Sequence, residues 1–116
     1  MLERNPFMNE LIVFITASKE DEAVTIARAL VEDRLAGCVN IVRNIRSIYR
    51  WQGNIEDDKE VLMIAKTKKK LFKALEKKVK ELHSYTVPEI IAMPIAEGSK
   101  DYLQWLNNAM AEATPK

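Results

Sequence analysis

Cys38 and His83 are the chain's single cysteine and single histidine, and the first candidates for chemistry. A thiolate nucleophile with an imidazole base needs the two side chains within hydrogen-bond reach and a donor for the oxyanion that forms. The sequence supplies no sign of either, and the chain is read as not an enzyme. The residues after the first apolar run, Thr16, Ala17, Ser18, Lys19 and Glu20, include neither the glycine nor the arginine of a phosphatase-like anion loop. Lysine is the other chemical feature. Eight lysines lie between Lys66 and Glu81, three of them consecutive at Lys68, Lys69 and Lys70. Such a helix face is either solvated or attractive to an anionic ligand. The nearby Glu56, Asp57, Asp58 and Glu60 are placed to neutralise it across a sheet or subunit boundary.

A long hairpin must position these residues. β-formers dominate from Cys38 to Thr67, with Gln52, Gly53 and Asn54 at the reversal. Taken from Cys38 to Trp51, the first arm would span ~46 Å at ~3.3 Å per residue. A compact domain of this length is only about 35 Å across, so the hairpin must bend, project, or do both. Val39, Ile41, Ile45, Tyr49 and Trp51 share one parity and Asn40, Asn44, Arg46 and Arg50 the other, which predicts one apolar and one polar face. Arg43 and Ser47 interrupt the apolar face, as a bulge, a solvated end or a contact with another subunit would explain. In the returning arm, residues 61–65 are apolar on both faces and read as a central strand covered on both sides. A projecting tip carrying Tyr49, Trp51 and Ile55 exposes edge and aromatic surface, and other copies of the chain are the expected cover.

Around the hairpin, the patterns predict a strand over 11–17 and a helix over 19–33, with Ser18 as N-cap and Gly37 marking the exit. A second helix is predicted over 68–83 and a strand over 89–96 after Pro88. Gly98 and Ser99 then introduce a C-terminal helix carrying Tyr102, Leu103, Trp105, Leu106, Ala109 and Met110. That order is a ferredoxin-like α+β fold, βαββαβ with a long hairpin between the second and third strands and one extra helix. Residues 1–10 read as a loosely ordered leader and 11–113 as a single domain. Net charge of +1, from 18 basic and 17 acidic residues, gives no pull toward nucleic acid or membrane. Phe14 alone on the predicted central strands is too little for base stacking. The run over 11–17 is too short to cross a membrane, and one cysteine allows no intrachain disulfide, so a soluble cytoplasmic protein is expected.

Five ordered motifs carry a family resemblance. They are the run Arg34, Leu35, Ala36, Gly37, Cys38, Val39, Asn40, Ile41; the run Ser47, Ile48, Tyr49, Arg50, Trp51, Gln52, Gly53; Glu60 with Lys66 and Thr67; His83, Tyr85, Val87, Pro88, Glu89, Ile90; and Tyr102, Leu103, Trp105, Leu106. Over about residues 11–106 the chain resembles the CutA divalent-cation-tolerance proteins. The resemblance implies a homotrimer of ferredoxin-like subunits, similar to the PII signalling proteins, with the hairpins packed between subunits. It also implies copper or another divalent cation as partner and no organic cofactor.

Carried over by position, the implied metal ligands are Cys38 and His83. A thiolate suits Cu(I), an imidazole suits Cu(II) or zinc, and Met63 or Met93 could add a thioether. Two ligands fall short of the four of a structural zinc site. Plain alternatives stand beside them: Cys38 as a small buried apolar residue, His83 as a cap at a helix C-terminus. The family's histidine is commonly followed by proline, tyrosine and an acid, whereas Ser84, Tyr85 and Thr86 follow here, so one oxygen donor is lost. The resemblance further places Tyr49, Trp51, Glu60, Lys66, Tyr85 and Glu89 at a subunit cleft, either a small-ligand pocket or a polar seam that locks the trimer. Two functions follow: a non-enzymatic homotrimeric copper- or divalent-metal-binding protein of metal tolerance, or a PII-like scaffold or small-ligand sensor whose metal binding is incidental.

Overall fold

In the computed structural model, which describes residues 9–111, the alternating and helical patterns resolve into seven main elements. These are β1 (Glu10–Ala17), α1 (Glu20–Glu32), β2 (Cys38–Trp51), β3 (Asn54–Lys68), α2 (Phe72–Leu82), β4 (Ile90–Pro94) and α3 (Lys100–Met110). A 3-10 turn, Lys69–Leu71, precedes α2, so the lysine-rich start of the predicted second helix is not α-helical. The strands form one antiparallel sheet in the order β2-β3-β1-β4. Of the predicted leader, residues 1–8 lie outside the described residues, as do 112 and 113 of the predicted domain.

Strand parity sets the core. Val13 and Ile15 of β1 and Met63 and Ala65 of β3 point at α1 and α2, where they bury against Ile26, Leu30, Leu75 and Val79. Each large apolar side chain removed from water there contributes roughly 1.5–3 kcal/mol. The face turned away from α1 and α2 carries Ile12, Phe14, Leu62 and Ile64, only half-buried, with Val42, Ile91 and Met93 exposed. Within a single chain α1 and α2 cover one side of the central strand, while on the other α3 reaches only the end near Glu10 and Cys38.

The hairpin both projects and bends. β1 ends at Ala17, opposite Val61, so about seven residues of each arm run on with no third strand, ~23 Å of free hairpin. The radius of gyration is accordingly 15.6 Å with extents of 48 × 41 × 22 Å, against ~13 Å for a compact chain of this size. Its tip is a two-residue loop with Gln52 at φ 49° and Gly53 at φ 82°, the paired positive angles that match strand twist.

A bulge accounts for the interruption at Arg43. Pairing steps from Val42↔Leu62 to Ile45↔Glu60, leaving one extra residue in β2, and Asn44 takes φ 59°. One extra residue exchanges the faces. Val39 and Ile41, opposite Ala65 and Met63, face the helices, whereas Ile45, Tyr49 and Trp51, opposite Glu60, Glu56 and Asn54, lie on the other side. The single apolar face expected for this arm is thus two half-stripes on opposite faces. Arg43, freed from the ladder, pairs with Glu20 at 3.3 Å.

Two predicted helix ends differ. Lys19, not Ser18, is the N-cap of α1 and makes no side-chain cap; Glu20, Asp21 and Glu22 in the first turn answer the dipole instead. At the other end Arg34 takes φ 58°, and the N–H groups of Leu35 and Ala36 both donate to the Leu30 carbonyl, at 2.8 and 3.2 Å. Gly37 serves a different purpose, because a Cβ there would lie 2.6 Å from Leu106 Cδ1 of α3. Ser99 caps α3 as expected, its Oγ accepting from the Tyr102 N–H at 3.3 Å. The helix is held further by Arg34 donating to the Ala109 carbonyl and Asn107 to Glu10, at 3.1 and 3.0 Å. Among the described residues no helix is long and apolar enough to cross a membrane.

Candidate functional site

Where β1 stops, the segment from His83 to Glu89 takes its place beside the projecting hairpin. His83 anchors it. Its Nδ1 accepts from the Tyr85 N–H at 3.0 Å, so Nδ1 carries the lone pair and Nε2 the proton, which it donates to the Thr16 carbonyl at 2.7 Å. Ser84 adds two bonds to the Glu22 carboxylate, from its N–H at 2.6 Å and its hydroxyl at 3.1 Å. This places Tyr85 with its ring centroid 4.7 Å from that of His83 and its hydroxyl donating to Glu60 Oε2 at 2.7 Å.

The hairpin supplies the opposite wall. Tyr49 donates to Asp58 Oδ2 at 2.7 Å, a diagonal partner created by the two-residue turn. Arg46 makes a bidentate pair with Asp57 at 2.8 and 2.6 Å, which raises the guanidinium's pKa and lowers the carboxyl's. The Asp58 bond is the main reason the Tyr49 phenol is pushed up to about 12. Burial, then the Glu60 bond, pushes Tyr85 well above the ordinary phenol value. Both tyrosines therefore remain neutral donors through the physiological range.

Tyr49, Trp51, Glu60, Tyr85 and Glu89 line one cleft of about 770 Å³. Five of the six residues expected at a cleft are thus brought together within one chain. Lys66 is elsewhere: six residues along β3 from Glu60, ~20 Å away, its ammonium donates to Asn40 Oδ1. Asp58, read from the sequence only as a neutraliser of the lysines, orients Tyr49, a role to which the turn register points. The Ser84–Glu22 bonds had no local signal.

Cys38 lies beside Lys66 in the ladder, half-buried, with Sγ 3.9 Å from Asn40 Oδ1. The phenol of Tyr102 is raised by burial first and then by this thiol. His83 is tied to Thr16, whose partner Leu62 stands four residues along β3 from Lys66, ~13 Å. Cys38 and His83 are therefore not brought together within one chain as a nucleophile and base or as a ligand pair. Met63 faces the core, and Met93 is three strands across from Cys38. Among the described residues no group of three or more His, Cys, Asp or Glu is arranged to hold a metal.

Comparison with known proteins is consistent over nearly the whole domain. The family described as CutA1 divalent ion tolerance protein matches residues 11–109. The divalent-cation tolerance protein CutA of Thermus thermophilus is 57% identical over 97 residues, covering 84% of this chain and 94% of that one. A solved structure of the Thermus thermophilus divalent cation tolerance protein superposes with a TM-score of 0.82, at 57% identity and over the same shares of the two chains. The structure of the Archaeoglobus fulgidus protein, described as a periplasmic divalent cation tolerance protein, gives a TM-score of 0.85 at 41% identity, covering 88% of this chain and 99% of that one. Human protein CutA is 50% identical over 93 residues, which cover 80% of this chain and 52% of the human protein, so the match spans about half of that relative.

Proposed function

Because the chain belongs to the CutA1 divalent ion tolerance protein family, we propose that it serves divalent-metal tolerance as a non-enzymatic homotrimer binding copper or another divalent cation. The observation that carries the assembly is the open sheet face: Ile91, Met93 and Val42 are exposed beside Phe14 and Ile64, and the free hairpin bears Tyr49, Trp51 and Ile55. An apolar surface of this kind calls for a partner. The sheet order with α1 and α2 on one face supports a ferredoxin-like subunit, and a PII-like trimer would bury both open surfaces. Light scattering tests this, and a monomer at micromolar concentration would refute it.

For the metal, Cys38 is the stronger candidate, since its bond to Asn40 is long and a thiolate is a soft donor for Cu(I). His83 can join only by giving up the Tyr85 N–H, which occupies its lone pair. The free thiol fits a reducing cytoplasm. Calorimetric titration of Cu(I) under reducing conditions, Cu(II) and Zn(II) should show submicromolar binding that weakens at least tenfold in Cys38→Ala, ~1.4 kcal/mol. Weak binding left unchanged by both Cys38→Ala and His83→Ala would refute this metal site. The convergence of five residues on one cleft favours a second reading, a PII-like sensor that takes a small ligand there and meets metal incidentally.

A further inference from the structure

α2 has two faces of opposite character. Leu75 and Val79 are buried, whereas Lys73, Lys77 and Lys80 are exposed and, at ~100° per residue, fall within an arc of ~60° roughly opposite them. Lys69 and Lys70, exposed in the 3-10 turn ahead of Phe72, carry this row past the helix N-terminus. No acid occupies the first turn, so the cations gather where the dipole already adds positive charge. Little neutralises them. Lys73 and Lys80 share one carboxylate, Glu76, at 3.9 and 3.4 Å, and among the described residues Lys69, Lys70 and Lys77 make no ion pair. The acids that the sequence set against this row are engaged elsewhere: Asp57 by Arg46, Asp58 by Tyr49 and Glu60 by Tyr85. Burial first, and then Lys70, lowers the pKa of Lys68 despite the nearby Glu10, a further sign of uncompensated positive charge. Because α2 lies on the side of the sheet away from the open apolar face, the row stays exposed when that face is covered.

We propose that this row binds inorganic polyphosphate, a bare chain of phosphates lying along the outer face of α2 and held by Lys70, Lys73, Lys77 and Lys80. Every charge in the row is an ammonium, a point charge that suits phosphate oxygens without the fixed geometry of a guanidinium. Other polyanions fit less well. A nucleic acid strand would ask for rings on which its bases could stack, and an acidic peptide for apolar contacts beside its charges. Between Lys73 and Lys80 no aromatic side chain is present, and the only exposed apolar one is Ala74.

Fluorescence anisotropy of end-labelled polyphosphate, titrated with the full chain at low ionic strength, tests the proposal. Binding should weaken steeply as salt is added, as for any polyelectrolyte that releases counterions. Unlabelled polyphosphate should displace the probe, and oligothymidylate or polyglutamate at equal charge concentration should not. Removing two ammonium groups by Lys73→Gln with Lys77→Gln should weaken binding about tenfold and flatten its salt dependence. Lys19→Gln with Lys100→Gln removes the same charge at exposed positions outside the row and should change affinity less than about twofold. Circular dichroism checks that both double variants keep the fold. Equal losses in the two would mean attraction by overall charge and overturn the row as the site. Displacement by oligothymidylate or polyglutamate as effective as by polyphosphate would overturn the assigned occupant. Absence of binding at low ionic strength would overturn the proposal outright.

Discussion

Replacing Tyr85 by phenylalanine deletes one oxygen and leaves Glu60 without its donor. The bond is short, 2.7 Å, and its acceptor is a carboxylate on a residue only 7% exposed. Hydrogen bonds to charged groups are worth ~1.5–3 kcal/mol. Because Glu60 opens on a cleft that water can enter, the low end applies, and a loss of ~1.5 kcal/mol is expected. For a chain of this length a kilocalorie corresponds to about 4 °C, giving a melting point lower by ~6 °C. Thermal melts at fixed protein concentration, which matters for an oligomer, would measure it. Glu60→Gln and the double variant complete a cycle in which the coupling should be about 1 kcal/mol. A Tyr85→Phe protein melting within ~1 °C of the parent, with no coupling to Glu60, would refute the assigned bond.

The remaining predictions concern the same supports. All three tyrosines have raised pKa values, Tyr49 chiefly by its Asp58 bond and Tyr85 and Tyr102 chiefly by burial. A phenol raised on folding stabilises fully below the unfolded value of ~10 and loses that contribution as pH rises through the folded value, which for Tyr49 is about 12. Ultraviolet titration should therefore show Tyr49 and Tyr85 ionising well above the ~10 at which they ionise in guanidinium; ionisation of both near that value in the folded protein refutes the bonds. Gly37→Ala sets a Cβ 2.6 Å from Leu106 Cδ1 and 3.2 Å from its carbonyl, an overpacking that should cost ~1–3 kcal/mol. Urea unfolding indistinguishable from the parent would mean that α3 does not dock there. His83→Ala removes the bonds to Thr16 and Tyr85, for an expected loss of ~2 kcal/mol and faster hydrogen exchange at the Tyr85 amide. Unchanged exchange would mean that the ring does not hold the segment.

Local signals were enough for the element order. The β-branched runs, the Gln52–Gly53 reversal and the apolar spacing of Leu71, Phe72, Leu75 and Val79 depend only on near neighbours. The hairpin's projection was also legible, since length alone made it longer than a compact domain. Capping was legible where side chain and backbone are adjacent, as at Ser99, and failed at Ser18, where the acids of the first turn suffice.

Tertiary structure decided the rest. Parity along β2 depends on a bulge at Arg43 and Asn44, and the placement of one unpaired residue follows from what β3 and Glu20 offer across the sheet. Gly37 resembled a helix stop, but its missing side chain makes room for Leu106, 69 positions later. Tyr85 and Glu60 meet because His83 reaches the Thr16 carbonyl, Ser84 reaches Glu22, and β1 ends where it does. Lys66 shares a strand with Glu60 yet belongs to the Cys38 and Asn40 end, because six residues of extended chain separate the two by ~20 Å. Sequence alone determined the strands, the helices and the residue types available for a site. Which of them share a surface was set by long-range register, a sum of weak pairings that no short window contains.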